Sequence, residues 1–263
     1  MEDGKRKNWT VDETIIALYL YHQIPFGKIY ARNPIVKDFA AMIHRTPAAL
    51  VMKIGNLARF DPLLQQRGVN GLANGSKLDK QVWESYVDRY SKLVQDYEAV
   101  INKEYVIAEQ PVQTVKELET QYEVTEKEAT IQVRIGQNFF RNSVISAYEG
   151  RCCMTGINVP ELLTACHIKP WSSSTDKDER LNPQNGLCMN ELFHKAFDAG
   201  LITVGAEDYL IYVSDALKNR KDLDETTRNW IVAADGQKIL LPHRDRPDKV
   251  FLEYHNDVIF RHG

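Results

Sequence analysis

The stretch Ala165-Cys166-His167-Ile168-Lys169-Pro170-Trp171, followed by Asn185-Gly186-Leu187 and then His194-Lys195-Ala196-Phe197-Asp198, decides how this chain is read. Asn185 lies 18 positions after His167, and His194 nine after Asn185. Leu162 to Ile168 reads as the second strand of a hairpin whose turn is Gly156 to Pro160. Residues 169–186 are polar and predict a loop. Leu187 to Ala199 predicts a helix that Gly200 is well placed to end. His194 and Asp198 are four residues apart in that helix, so both side chains project from one face and can converge on one ion.

Upstream, Phe139, Phe140, Val144, Ile145 and Tyr148 predict a helix leading into the hairpin. Downstream, Tyr209 to Val213 and Lys238 to Leu241 predict strands that, with a helix, extend this region to residue 263. Closer to the N-terminus, Thr10 and Glu13 form a capping-box pair that starts a first helix. Asn33-Pro34 starts a second. Leu50, Val51, Ile54 and Leu57 line a third, after a turn at His44-Arg45-Thr46-Pro47. Three short helices with a tight turn before the last match a helix-turn-helix outline. The third helix would then present Ala49, Lys53 and Asn56 outward. Arg45 at the turn and Lys5, Arg6 and Lys7 in the arm would reach phosphates. A small interaction domain with solvated basic residues fits the same pattern. After a turn-rich break at Gly68 to Ser76, a long helix is expected from about Leu78 to Tyr105. Its aromatic side suits a core or a dimer face. Residues 106–128 are acidic and read as a linker.

The chain has 263 residues, enough for two ordinary domains, with 43% hydrophobic and 26% charged residues. No apolar run approaches the roughly 20 residues that span a bilayer, and Met1 to Thr10 lacks an apolar signal core. Four cysteines, at 152, 153, 166 and 188, do not suggest a secreted disulfide framework, so a cytoplasmic setting is expected. The net charge of −3 excludes a chain that is basic throughout. Charge is nevertheless uneven: residues 1–60 hold nine Lys/Arg against five Asp/Glu, and residues 104–128 hold two against seven.

The His167, Asn185, His194 order resembles the HNH nucleases. Gly150-Arg151-Cys152, Thr155-Gly156, Ala165 to Trp171, Arg180-Leu181, Asn185-Gly186-Leu187, Phe197 to Ile202 and Leu252-Glu253-Tyr254-His255 are similar to a bacterial branch of them, the restriction endonucleases. The resemblance spans roughly residues 130–260. It implies a ββα-metal nuclease domain with a C-terminal extension (129–263); with the helical, helix-turn-helix-like N-terminal domain (1–75) and the long helix and acidic linker (76–128) read from caps and periodicity, the expected fold is α+β.

The resemblance also implies roles. His167 would be the general base, His194 a metal ligand with Asp198 beside it, and Asn185 the residue that holds the base in place by bonding across the loop. The expected cofactor is a divalent metal, Mg²⁺ first, with Mn²⁺ or Ni²⁺ as alternatives. Arg141 and Arg180, which match the pattern of that branch, and Lys169 would contact nucleic acid near the site; on the helix-turn-helix reading, Arg45, Lys53 and Asn56 would do so from the N-terminal domain. Two departures stand out. Many HNH proteins carry an acidic residue or histidine before the base, where this chain has Cys166, a poor partner for Mg²⁺ and a good one for soft metals. Many also bind a structural zinc through two Cys-x-x-Cys pairs. Here Cys152 faces Thr155 in the first pair, and the second falls on Asn190 and Phe193, so no structural zinc is expected.

The leading expectation is a metal-dependent endonuclease acting on double-stranded DNA, in restriction or phage defence. Two others remain open: a DNA-binding regulator with a degenerate nuclease domain, and a toxin-like nuclease activated by a partner docking on the long helix. A homodimer or a regulatory protein partner is compatible with the sequence, and RNA stays open as a substrate.

Overall fold

The computed structural model describes residues 7–68, 76–104, 127–174 and 176–262, and the chain divides into two compact units, 1–136 and 137–263. Residues 105–126, most of the acidic stretch, and the arm residues Lys5 and Arg6 lie outside the described residues.

In the first unit, helix α1 (Val11–Gln23) opens on a complete capping box: Glu13 N donates to Thr10 Oγ1 at 3.1 Å and Thr10 N to Glu13 Oε2 at 2.9 Å. Helix α2 (Pro34–Met42) is capped by Asn33, and α3 (Pro47–Ala58) by Thr46, with His44 at φ 53° making the tight turn between them. Helices α4 (Pro62–Gln66), α5 (Lys77–Tyr86) and α6 (Tyr90–Glu104) follow. The single long helix expected over 78–105 is therefore two. Asp88 sits at φ 57°, in the left-handed region, which a continuous α-helix cannot pass through. Breaking there lets both halves pack on α1. Val82, Tyr86, Tyr90, Leu93 and Val94 are buried, and Tyr97 stacks on Tyr19 with ring centroids 3.6 Å apart. The aromatic face of residues 82–101 is thus core of this unit, and α5 and α6 are not a separate connector.

In the second unit, the end of helix α7 (Lys127–Ala147) delivers Phe140, Val144 and Ala147 to a core shared with strands β1 (Leu163–His167) and β2 (Gly186–Asn190). The strands pair antiparallel from Leu163 opposite Asn190 to His167 opposite Gly186. Helix α8 (Lys177–Leu181) lies in the loop between them, and α9 (Glu191–Asp198) follows β2 directly and packs on both strands. This corrects two expectations. The strand carrying His167 is the first of its hairpin, and residues 187–190 are strand rather than helix. Asn190 explains the late helix start, because its Oδ1 accepts from Phe193 N at 3.0 Å and caps α9 there.

A second antiparallel ribbon, β3 (Ile202–Val204) with β4 (Ile211–Val213), extends the core. Short helices α10 (Asp215–Lys218), α11 (Glu225–Trp230) and α12 (Lys249–Tyr254) follow, and α12 runs into a π-helical turn at His255–Ile259. Close approach fixes Gly186 and Gly200. A Cβ on Gly186 would come within 2.3 Å of Val144 Cγ2, and one on Gly200, at φ 68°, within 2.2 Å of Ile259 O. The first lets the hairpin lie against α7, and the second lets the chain turn out of α9 against the C-terminal turn. Among the described residues no helix is long and apolar enough to cross a membrane.

Candidate metal and catalytic centre

The end of β1, the following loop and α9 surround one cleft, lined by Ala165, His167, Ile168, Pro170, Trp171, His194, Asp198, His255 and Ile259. The His167 ring is stacked flat on Phe140, with centroids 3.7 Å apart, and meets Trp171 edge-on at 5.6 Å. Its Nε2 lies 2.9 Å from Arg180 O. A carbonyl only accepts, so Nε2 carries the hydrogen and the lone pair of the neutral ring is on Nδ1. Burial lowers the His167 pKa from its ordinary value, partly offset by that carbonyl, so the ring is neutral at physiological pH.

Asn185 is fully buried, just before β2. Its Oδ1 accepts from Lys169 N at 2.8 Å, and its Nδ2 donates to Lys169 O at 3.2 Å and Glu179 O at 3.1 Å. It therefore ties the segment after His167 to the segment whose next carbonyl, Arg180 O, holds the imidazole. No atom of Asn185 needs to touch His167 for the ring to be set.

On α9, His194 Nε2 lies 3.1 Å from Asp198 Oδ2, and Cys166 Sγ lies 3.8 Å from Asp198 Oδ1. The donor atoms of Cys166, His194 and Asp198 all fall within 4.8 Å of one another. The Asp198 hydrogen bond raises the His194 pKa, against a smaller opposing effect of burial. Burial alone would raise Asp198, but the His194 bond, with help from Cys166 and Lys195, leaves it lowered. Burial, then the adjacent Asp198 charge, pushes the Cys166 thiol well up. An imidazole nitrogen, a carboxylate and a thiol fit a divalent cation of borderline character better than the all-oxygen shell Mg²⁺ favours.

The remaining candidates are placed differently. Lys169 is bound by Glu179, Nζ to Oε2 at 2.8 Å. Arg180 donates Nε to Ser174 O at 2.8 Å and lies over the Trp171 ring at 5.2 Å. Arg141 is exposed and donates to Leu163 O at 3.1 Å. In the first unit, the expectation that Lys53 faces outward is corrected: it is buried and paired with buried Asp79 of α5. Arg45 is also held internally, by Glu13 at 2.7 Å, by Lys7 O and Asn8 O, and over the Trp9 ring. The side-chain oxygen of Asn56 is buried too. Packing of α5 on α3 covers the face that helical periodicity assigned to solvent. Cys152, Thr155 and Asn190 come together through hydrogen bonds, Asn190 N to Cys152 Sγ at 3.3 Å and Nδ2 to Thr155 Oγ1 at 3.2 Å.

Sequence reasoning missed three contributors. Phe140 supports the His167 ring from a helix, a contact no local spacing encodes. Glu179 neutralises Lys169 from within the loop. His255, given no role from the sequence, is a wall of the cleft: it stacks on Phe197, and its Nε2 donates to Phe197 O while Nδ1 faces Thr203 Oγ1 at 2.8 Å.

Residues 152–205 match the family model described as HNH endonuclease, a segment that contains β1, the loop, β2 and α9. The chain therefore carries an HNH endonuclease domain, which supports nuclease chemistry in general. No curated protein matches the chain.

Proposed function

We propose that the protein is a metal-dependent HNH endonuclease that hydrolyses DNA phosphodiester bonds. The observation that carries this reading is the convergence on one cleft of a neutral, carbonyl-fixed His167 and the His194–Asp198 pair. His167 accepts a proton from water at Nδ1, as a general base whose protonation state suits neutral pH. Asn185 positions it through the Lys169 and Glu179 backbone. His194 and Asp198 hold the divalent cation, which when bound neutralises phosphate charge and stabilises the leaving oxygen. The resemblance puts Mg²⁺ first, with Mn²⁺ and Ni²⁺ as alternatives and no structural zinc, whereas the nearby thiol of Cys166 favours a softer ion than Mg²⁺. Arg180, Arg141 and Lys169 are the proposed phosphate contacts of the double-stranded substrate. A DNA-holding role for the first unit no longer rests on Arg45 or Lys53. The restriction or phage-defence setting follows from the resemblance, and a reducing cytoplasm suits the four free thiols.

A DNA-binding regulator with an inactive nuclease domain is the second reading, favoured by Cys166 where the family often has a hard metal ligand. The partner-activated reading has lost its support, since the aromatic face it needed is buried in the first unit. The deciding experiment is incubation of supercoiled plasmid with purified protein and Mg²⁺, Mn²⁺, Ni²⁺ or EDTA. Metal-dependent nicking or linearisation is expected; binding without cutting in every metal would select the regulator.

A further inference from the structure

Cys166 is 1% exposed and belongs to the core of the second unit, with its sulfur at the edge of that core, 3.5 Å from His167 O and 3.8 Å from Asp198 Oδ1. Asp198 stands between the other two groups, one oxygen 3.1 Å from His194 Nε2 and the other 3.8 Å from Cys166 Sγ. Donors bound tetrahedrally at ~2.0–2.3 Å from one ion are themselves roughly 3.3–3.8 Å apart. The three side chains are thus near ligand spacing before any ion enters. β-strand pairing holds Cys166 opposite Leu187, and α9 carries His194 and Asp198 on adjacent turns of one face, so two rigid elements fix the set.

We infer that Cys166 is a third protein ligand at this centre, and that the site takes a borderline or soft divalent cation of the zinc, cobalt and cadmium class as a thiolate complex. This deepens the reading of the cleft as a metal centre and names which class of ion it selects. On binding, the sulfur–metal bond forms as the S–H bond breaks, and the thiol proton leaves to solvent. The exposed side of the His194–Asp198 pair keeps positions open for water or phosphate, as a catalytic rather than a structural site requires. A strongly hydrated, oxygen-seeking ion gains nothing from the sulfur, so Mg²⁺ binds more weakly than the softer ions.

The test titrates Co²⁺ or Cd²⁺ into chelator-stripped full-length protein and reads ultraviolet thiolate-to-metal charge-transfer absorption, with plasmid cleavage followed in parallel. A band saturating at one ion per chain, and lost in a Cys166→Ser variant that retains its circular dichroism, is the expected result. His194→Ala, at a partly exposed position and with its fold checked by circular dichroism, is expected to weaken Cd²⁺ binding at least ~tenfold. No band in the wild-type protein, or a band that persists in Cys166→Ser, overturns the inference, and the wild-type arm decides even if the serine variant fails to fold. The two readings separate cleanly: cutting with Mg²⁺ and no charge-transfer band keeps the nuclease and overturns the thiolate site, whereas a band without cutting keeps the thiolate site and overturns the nuclease.

Discussion

Asn185 does more than its size suggests. One fully buried amide side chain satisfies three backbone groups on two separate stretches of the loop. Removing it leaves those groups desolvated and unpaired, at about 1–3 kcal/mol each where they stay dry. Asn185→Ala is therefore expected to lower both the urea midpoint and the cleavage rate. An unchanged rate would show that His167 does not depend on this loop. His255 gives a second prediction at this scale. Burial lowers its pKa from 6.5 to about 4. The unfolded chain takes up the proton first as pH falls, so this group's contribution to stability is full above about pH 6.5 and lost on the way down to about pH 4. The loss is about 3 kcal/mol. The difference in unfolding free energy between wild type and His255→Gln, measured across that window, should change by an amount of this order. A flat difference would mean the ring is not held neutral.

At the scale of elements, α9 and its exit carry the site. Gly200 sits at φ 68° with Ile259 O where a Cβ would go. Gly200→Ala should cost about 2 kcal/mol or more, since strain and a backbone clash add; a melting temperature equal to wild type would refute the close approach. This glycine and the His194–Asp198 spacing were legible in the sequence because both depend only on local helix geometry. The start of α9 was not. Leu187-Cys188-Met189 is a short apolar run that suits a buried strand and a buried helix equally, and only pairing with Leu163 to His167 decides it. The same limit hid the break at Asp88, where no glycine or proline marks the left-handed turn.

For the whole molecule, the first unit was the part least legible in the sequence. Periodicity placed Lys53 on the outward face of α3, but whether a face is outward depends on what packs there, and α5 brings Asp79 to it. Lys53→Met should then destabilise the protein by about 3–5 kcal/mol, because Asp79 is left as an uncompensated buried charge. It should leave the salt dependence of DNA binding unchanged, whereas a lost phosphate contact would reduce the slope by ~1. The second unit was legible further, because His167, Asn185 and His194 occur in a fixed order whose geometry one hairpin and one helix determine. The central claim is that His167 is the base of a nuclease centre. Single-turnover cleavage of plasmid DNA by wild type and by His167→Ala, each confirmed folded by circular dichroism, tests it most directly. Metal-dependent cutting by the wild type and a loss of about 100- to 10,000-fold in the variant are expected. A folded His167→Ala protein that cuts at the wild-type rate would contradict it.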